Sequence, residues 1–224
     1  MESKEQPPEG RAAAERAASA ISAAIRHSRF GPGQRLVEPE LARLLGLGRG
    51  PVREALRLLS AQGLVTIERN KGAVVSRASR AMVAEVFEMR ELVEGLAARR
   101  AARRVAERGC PAALLAALRD EEARCAESDP LTLIDANERL HQLIASAGGG
   151  DVARRTLTHL QLPELRTRFF QIMSPRNWRL SREDHVAVLR AVIAGDHDRA
   201  EQAMRTHVRR TASLLAELPE GTFP

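Results

Sequence analysis

Apolar residues follow one arrangement before Ser79 and another after it. Upstream, an Ala-rich run from Arg11 to about Ser28, with Ile21 and Ile25 one turn apart, predicts a helix. Phe30-Gly31-Pro32-Gly33 interrupts it. A short helix is expected from Pro39 to Leu45, with Glu38 as a weak N-terminal cap, and then a tight turn at Gly46-Leu47-Gly48. Pro51 fits the first turn of a further helix running to about Ala61, whose Val52, Leu56 and Leu59 share one face. Two β-like runs follow, 64–67 and 73–75, joined through Glu68-Arg69-Asn70-Lys71-Gly72 as a hairpin with a basic tip. Downstream of Ser79 the strand signals vanish. Helices are predicted at about 80–107, 111–127, 130–146, 151–162, 164–173, 181–194 and 197–217. Asp129 before Pro130, and Ser181 with Asp184 three residues on, read as helix starts. Gly109-Cys110-Pro111 and Gly148-Gly149-Gly150 read as stops.

The pattern therefore predicts a mainly α protein: an N-terminal winged helix-turn-helix, then an all-helical bundle with mostly antiparallel neighbours. The expected division is a loose tail at 1–10, a first domain at 11–78, a second at 79–218 and a short tail at 219–224. Charge sharpens this division. Residues 1–80 carry 14 basic and 8 acidic side chains, whereas the remainder carries 21 of each, so the whole net charge of +6 belongs to the first third. No apolar run approaches the roughly 18 residues that span a bilayer, so no membrane role is expected. Two cysteines, Cys110 and Cys125, cannot form a disulfide framework, and a cytoplasmic location is expected.

Basic residues in the first domain concentrate where a nucleic-acid contact would need them. Arg49, Arg53 and Arg57 recur every fourth residue, opposite the apolar face of their helix. A guanidinium can bind guanine bidentately or straddle a phosphate, and Arg69 and Lys71 at the hairpin tip would add phosphate contacts. Taken alone, three arginines at this spacing describe a solvated helix face. The turn, the basic hairpin and the charge localisation together favour DNA. The run PGQRLVEPELARLLGLGRGPVREALRLLSAQGLVTIERNKGAVV resembles the DNA-binding domain of the GntR family of bacterial transcription regulators, over about residues 11–77. The resemblance implies DNA contacts from Arg35, Arg49, Gly50 and Arg53, with Lys71 and Gly72 in the wing. Members usually carry Ser or Thr before the recognition-helix arginine. Here Gly48 stands there, so a helix cap or a side-chain phosphate contact is expected to be missing.

The second domain's chemistry lies in its histidines. His141 shares a helical stripe with Ile134, Asn137 and Ile144; His185 with Val188, Leu189, Val192 and Ile193; His207 with Met204, Leu214 and Leu215. His27 and His197 read as exposed, and His159 as a core candidate without a partner. One histidine on an apolar face is usually a hydrogen-bonded core residue. Three on three helices would be costly to bury unpartnered, and a shared divalent metal would use their neutral forms as ligands. Asn137, four residues before His141, can point to the same spot.

The segments FEMRELVEGLAARRAA, NERLHQLI and EDHVAVLRAVIAGDHDRAEQAMRTHV resemble the FCD domain, the helical effector domain of the FadR subfamily of GntR regulators, over about residues 82–210. The resemblance implies a divalent metal, Zn²⁺ with Ni²⁺ or Mn²⁺ as alternatives, held by His141, His185 and His207. Asn137 stands where many members carry a carboxylate. It also implies a small organic acid effector, with Arg90 as its clamp; an ion pair of Arg90 with Glu94 is the competing reading. Arg166 and Arg168 are weaker candidates.

These readings combine into a homodimeric, ligand-responsive regulator of a palindromic double-stranded DNA operator, and not an enzyme. The alternatives are a metal-dependent helical enzyme with a nucleic-acid-binding appendage, and the same regulator with a metal-free pocket. The enzyme is disfavoured because no carboxylate at helical spacing accompanies the histidines as a general base.

Overall fold

The computed structural model describes residues 9–26, 29–68, 72–123, 130–160, 172–219 and 223. They form two compact units, divided between Ala78 and Ser79. The expected helix at 164–173, the wing tip at Arg69 and Lys71, and His27, Cys125, Asp129, Arg166 and Arg168 fall largely or wholly outside the described residues.

In the first unit, α1 (Glu9–Arg26) is followed by β1 (Arg35–Leu36), α2 (Glu38–Leu45), α3 (Arg49–Ala61), β2 (Val65–Glu68) and β3 (Gly72–Val75). Ala17, Ile21 and Ile25 of α1 enter one core with Val52, Leu56 and Leu59 of α3 and with Leu36, Leu41, Val65 and Val75. The small alanines let α1 lie close against α3. The three strands are antiparallel in the order β1-β3-β2, with Val65 opposite Val75 and Glu68 opposite Gly72. Strand β1 carries no sequence signal of its own, because two residues have no period; pairing of Arg35 with Val74 makes it a strand.

Two helix starts differ from expectation. Glu38 lies inside the first turn of α2, capped by Val37 without a side-chain hydrogen bond, so its carboxylate acts on the helix dipole and not as a cap. Helix α3 begins at Arg49, two residues before Pro51, and its cap, Gly48, supplies no side-chain bond. Gly48 has φ −70° and ψ 161°, with only Pro51 Cδ near a would-be Cβ, at 3.8 Å. Gly48→Ser should therefore fit without strain and raise stability by about 0.5–1 kcal/mol through capping and reduced unfolded-state entropy. The shift of the urea midpoint measures this, and an unchanged midpoint would show that α3 gains nothing from the cap.

In the second unit the helices are α4 (Arg80–Arg108), α5 (Ala112–Ala123), α6 (Pro130–Ala147), α7 (Asp151–His159), α8 (Pro175–Ile193) and α9 (His197–Ala216). The Ser79 hydroxyl accepts from Met82 N–H to start α4, which packs along α9 and also touches α6, α7 and α8. Its buried alanines, Ala97, Ala98, Ala101 and Ala102, allow close helix approach. Helix α8 starts six residues before the expected Ser181. Ser174 caps it through Asn177 N–H and Pro175 occupies the first turn, while Ser181 lies buried within the helix. The two serine starts look alike in sequence, and only burial separates them.

Candidate nucleic-acid face and metal centre

On the first unit, Arg49, Gly50, Arg53 and Arg57 of α3 are exposed, as is Arg35 on β1. Burial of Val52, Leu56 and Leu59 on the opposite face fixes this outward orientation. The guanidinium of Arg53 is gripped by Glu38 of α2, with Nη2 donating to Oε2 at 3.0 Å and Nε reaching both oxygens at 3.2 Å. Arg57 pairs with Glu54 at 3.5 Å, whereas Arg35 and Arg49 make no ion pair among the described residues. Gly72 opens β3 with φ +77°, a left-handed conformation that glycine adopts freely.

On the second unit, His141 of α6, His185 of α8 and His207 of α9 are all buried, and their ligand atoms lie within 4.8 Å of one another. Ring centroids stand 4.5 Å apart for His185–His207, 5.1 Å for His141–His207 and 5.6 Å for His141–His185. The Nε2 atoms of His185 and His207 are 3.3 Å apart, and His141 Nε2 is buried without a hydrogen-bond partner. Each Nδ1 faces a carboxylate: Glu94 for His141, Glu121 at 3.4 Å for His185, and Asp184 at 3.5 Å for His207. The carboxylates of Glu94 and Glu121 orient the rings of His141 and His185 and make the other nitrogen a better ligand, the arrangement found around protein-bound zinc, whereas His207 Nδ1 forms no hydrogen bond with Asp184.

Burial disfavours the charged form of His185 and His207. Burial, reinforced by the neighbouring His185, pushes His207 down to about 3 against the opposing pull of Asp184. Burial likewise lowers His185, with Glu121 opposing. Desolvation by itself would raise the carboxyl of Glu94, but Arg90 and His141 outweigh it and hold the group well below the usual carboxylate range. Three buried imidazoles converging from three helices, one with an unpartnered Nε2, fit a divalent metal.

The remaining expected site residues fall in different places. Asn137 is half-buried in the wall of a cavity that it shares with His185. Arg90 is absent from the described wall of that cavity. It donates to Glu94 at 2.8 Å, with side-chain exposures of 17% and 2%, and lies over the Phe87 ring. The pair with Glu94 is thus formed and buried, not superficial. His159, a core candidate by sequence, is exposed and its Nδ1 meets Arg155 O at 2.7 Å. The three carboxylates behind the histidines went unread, because Glu94 and Glu121 arrive from other helices. Only Asp184, adjacent to His185, offered a local hint.

Residues 85–210 match the FCD domain, and residues 13–75 match the family described as bacterial regulatory proteins, gntR family. The chain belongs to the GntR family. It is 27% identical to the HTH-type transcriptional repressor RspR of Escherichia coli over 196 residues, 87% of this chain and 85% of that protein. It is 35% identical over 187 residues to an HTH-type transcriptional regulator of Streptomyces ambofaciens, 80% of this chain and 74% of that protein. Among solved structures, E. coli McbR/YncC superposes with a TM-score of 0.76, covering 92% of this chain and 97% of that one, and at 18% identity it speaks for the fold alone. The protein is thus a DNA-binding transcription regulator with a gntR-type head and a helical FCD domain, and not an enzyme. Carboxylates do accompany the histidines in space, but the chemistry of such regulators is binding. No helix among the described residues is long and apolar enough to cross a membrane.

Proposed function

We propose that this GntR regulator acts in the cytoplasm as a homodimer on a palindromic operator, and that a small carboxylate effector and a divalent metal in its helical domain control it. The observation that carries the sensing part is the convergence of three buried imidazoles, each facing a carboxylate. Zn²⁺ suits this donor set, with Ni²⁺ and Mn²⁺ as alternatives. His141, His185 and His207 would hold the ion. Asn137, one turn before His141, offers an amide oxygen in place of a charged ligand. The ion would keep its full positive charge and attract an anionic ligand.

Arg49 and Arg53 would read base edges in the major groove, while Arg35, Gly50, Arg69, Lys71 and Gly72 would follow the phosphate backbone. Support for a dimer comes from α4, where Met82, Met89, Leu92 and Leu96 expose apolar side chains at helical spacing, 50% and 51% for the two leucines. A second copy covering this stripe would give the two recognition helices the symmetry of a palindrome.

Mobility shift on the DNA upstream of the gene tests the DNA part. A specific shift is expected, much weaker on a single half-site, and Arg49→Ala or Arg53→Ala should each weaken it by about 1–3 kcal/mol. No specific shift would refute operator binding; unchanged affinity would remove the mutated arginine from the contact set. For the sensing part, Zn²⁺ at a hundredfold excess over Kd should stabilise the protein by about 2.7 kcal/mol. His185→Ala should abolish this gain in a thermal melt. Equal stabilisation of both proteins would place the metal elsewhere.

A further inference from the structure

Beside the histidine cluster lies a cavity of about 120 Å³ whose described wall has two chemistries. Leu133 and Ala136 of α6 and the indole of Trp178 are its apolar part. Arg179 and Arg182 are its cationic part, and His185 continues the same face of α8 toward the cluster. Trp178 and Arg179 reach the cavity on α8 because the helix begins at Pro175 and not at Ser181. Arg179 is exposed and makes no ion pair among the described residues. Glu121, the one acid in the described wall, lies 3.4 Å from His185 Nδ1, and the two guanidinium groups of Arg179 and Arg182 outnumber it.

We propose that the effector bound here is a monocyclic aromatic carboxylate, its ring between Trp178 and the Leu133–Ala136 wall and its carboxylate on Arg179 and Arg182. The inference rests on the reading of the helical domain as an acid sensor and narrows it to one chemical class. Size limits the occupant to a single ring: apolar cavities of about 150 Å³ hold benzene, and this one, about 120 Å³, is of the same order. Surface chemistry selects an aromatic acid over an aliphatic one. Acetate would satisfy the guanidinium groups but leave the indole and Leu133 uncovered, forfeiting apolar burial and ring stacking. A neutral aromatic would fill the cavity and leave the exposed Arg179 without a bidentate partner.

Trp178 is the only tryptophan of the chain, and there is no tyrosine, so intrinsic emission reports on this wall alone. Emission of the full-length protein is followed while benzoate, phenylacetate, hydroxybenzoates, benzamide and acetate are titrated in turn. At least one aromatic acid should change the emission saturably, with benzamide and acetate at least about tenfold weaker. Arg179→Ala should weaken that acid about tenfold, while leaving the ligand-free emission and the thermal melt unchanged. Calorimetric titration of the same acid into Trp178→Leu should show reduced affinity, independent of fluorescence. Acetate binding as tightly as the aromatic acids, or no member of the aromatic panel producing either an emission change or heat, overturns the proposal. If operator binding persists in that case, only the aromatic assignment falls. If an aromatic acid binds at Trp178 but operator affinity ignores it, the site stands and its role as the sensor falls.

Discussion

Glu94→Ala should destabilise the protein by about 3–5 kcal/mol, the range for removing one partner of a buried ionic network. Glu94 is 2% exposed and holds two groups at once, Arg90 through Oε1 and His141 through Oε2. Truncation would leave a mostly buried guanidinium without its carboxylate and an imidazole without its Nδ1 acceptor. Water cannot easily replace either contact, so both groups would bear desolvation costs unopposed. Glu94→Gln should cost less, because the amide keeps the shape and one acceptor oxygen. It should still weaken Zn²⁺ binding about 10–100-fold, as expected when a carboxylate behind a ligating imidazole is lost. Urea unfolding and metal titration measure the two effects separately. A loss below about 1 kcal/mol for Glu94→Ala would show that the network contributes little to the fold.

Acidification should unfold the metal-free protein well before its surface carboxylates are all protonated. The folded value of His207, about 3, lies below its ordinary 6.5 because burial and the neighbouring His185 disfavour the charged ring. Above pH 6.5 both folded and unfolded states carry a neutral ring, and this contribution to stability is complete. As pH falls from 6.5 toward 3, the unfolded chain takes up a proton that the folded chain refuses, and stability drops by about 1.4 kcal/mol per pH unit. Between pH 6.5 and 4 the loss is about 3 kcal/mol from His207 alone, and His185, lowered by the same cause, adds to it. The groups facing these rings, Asp184, Glu121 and His141, modulate the slope, with Asp184 and Glu121 opposing it. Urea midpoints in chelator at pH 7 and below should reveal the dependence, and His207→Leu should flatten it. A parent midpoint that does not move between pH 6.5 and 5 would contradict a neutral buried His207.

Local signals and long-range ones were not equally readable. Helices α3, α4, α6 and α9 follow from apolar periodicity, since one buried stripe on one element needs no knowledge of its neighbours. The three inward histidines were legible for the same reason: each sits in register with apolar residues on its own helix. Glu94 was not. It is one of several acids on α4, and nothing in the local pattern distinguishes the acid under His141 from its exposed neighbours. Trp178 and Arg179 lie outside the predicted helix, because Ser181 imitates a helix start and conceals nearly two turns of α8. Strand β1 was invisible, having no structure until β3 pairs with it.

The sequence by itself determined the order of elements, the division of charge, the outward arginine face of α3 and the inward histidines, because periodicity and composition act within a single element. Only the tertiary structure decided which carboxylate backs each imidazole, that Arg90 meets Glu94 while Arg179 and Arg182 line the cavity, and that Glu38 grips Arg53. Apart from Arg90–Glu94, four residues apart, those pairings join residues 15 to 64 positions apart or depend on where a helix begins. Their energies come from burial and distance, which no local pattern records.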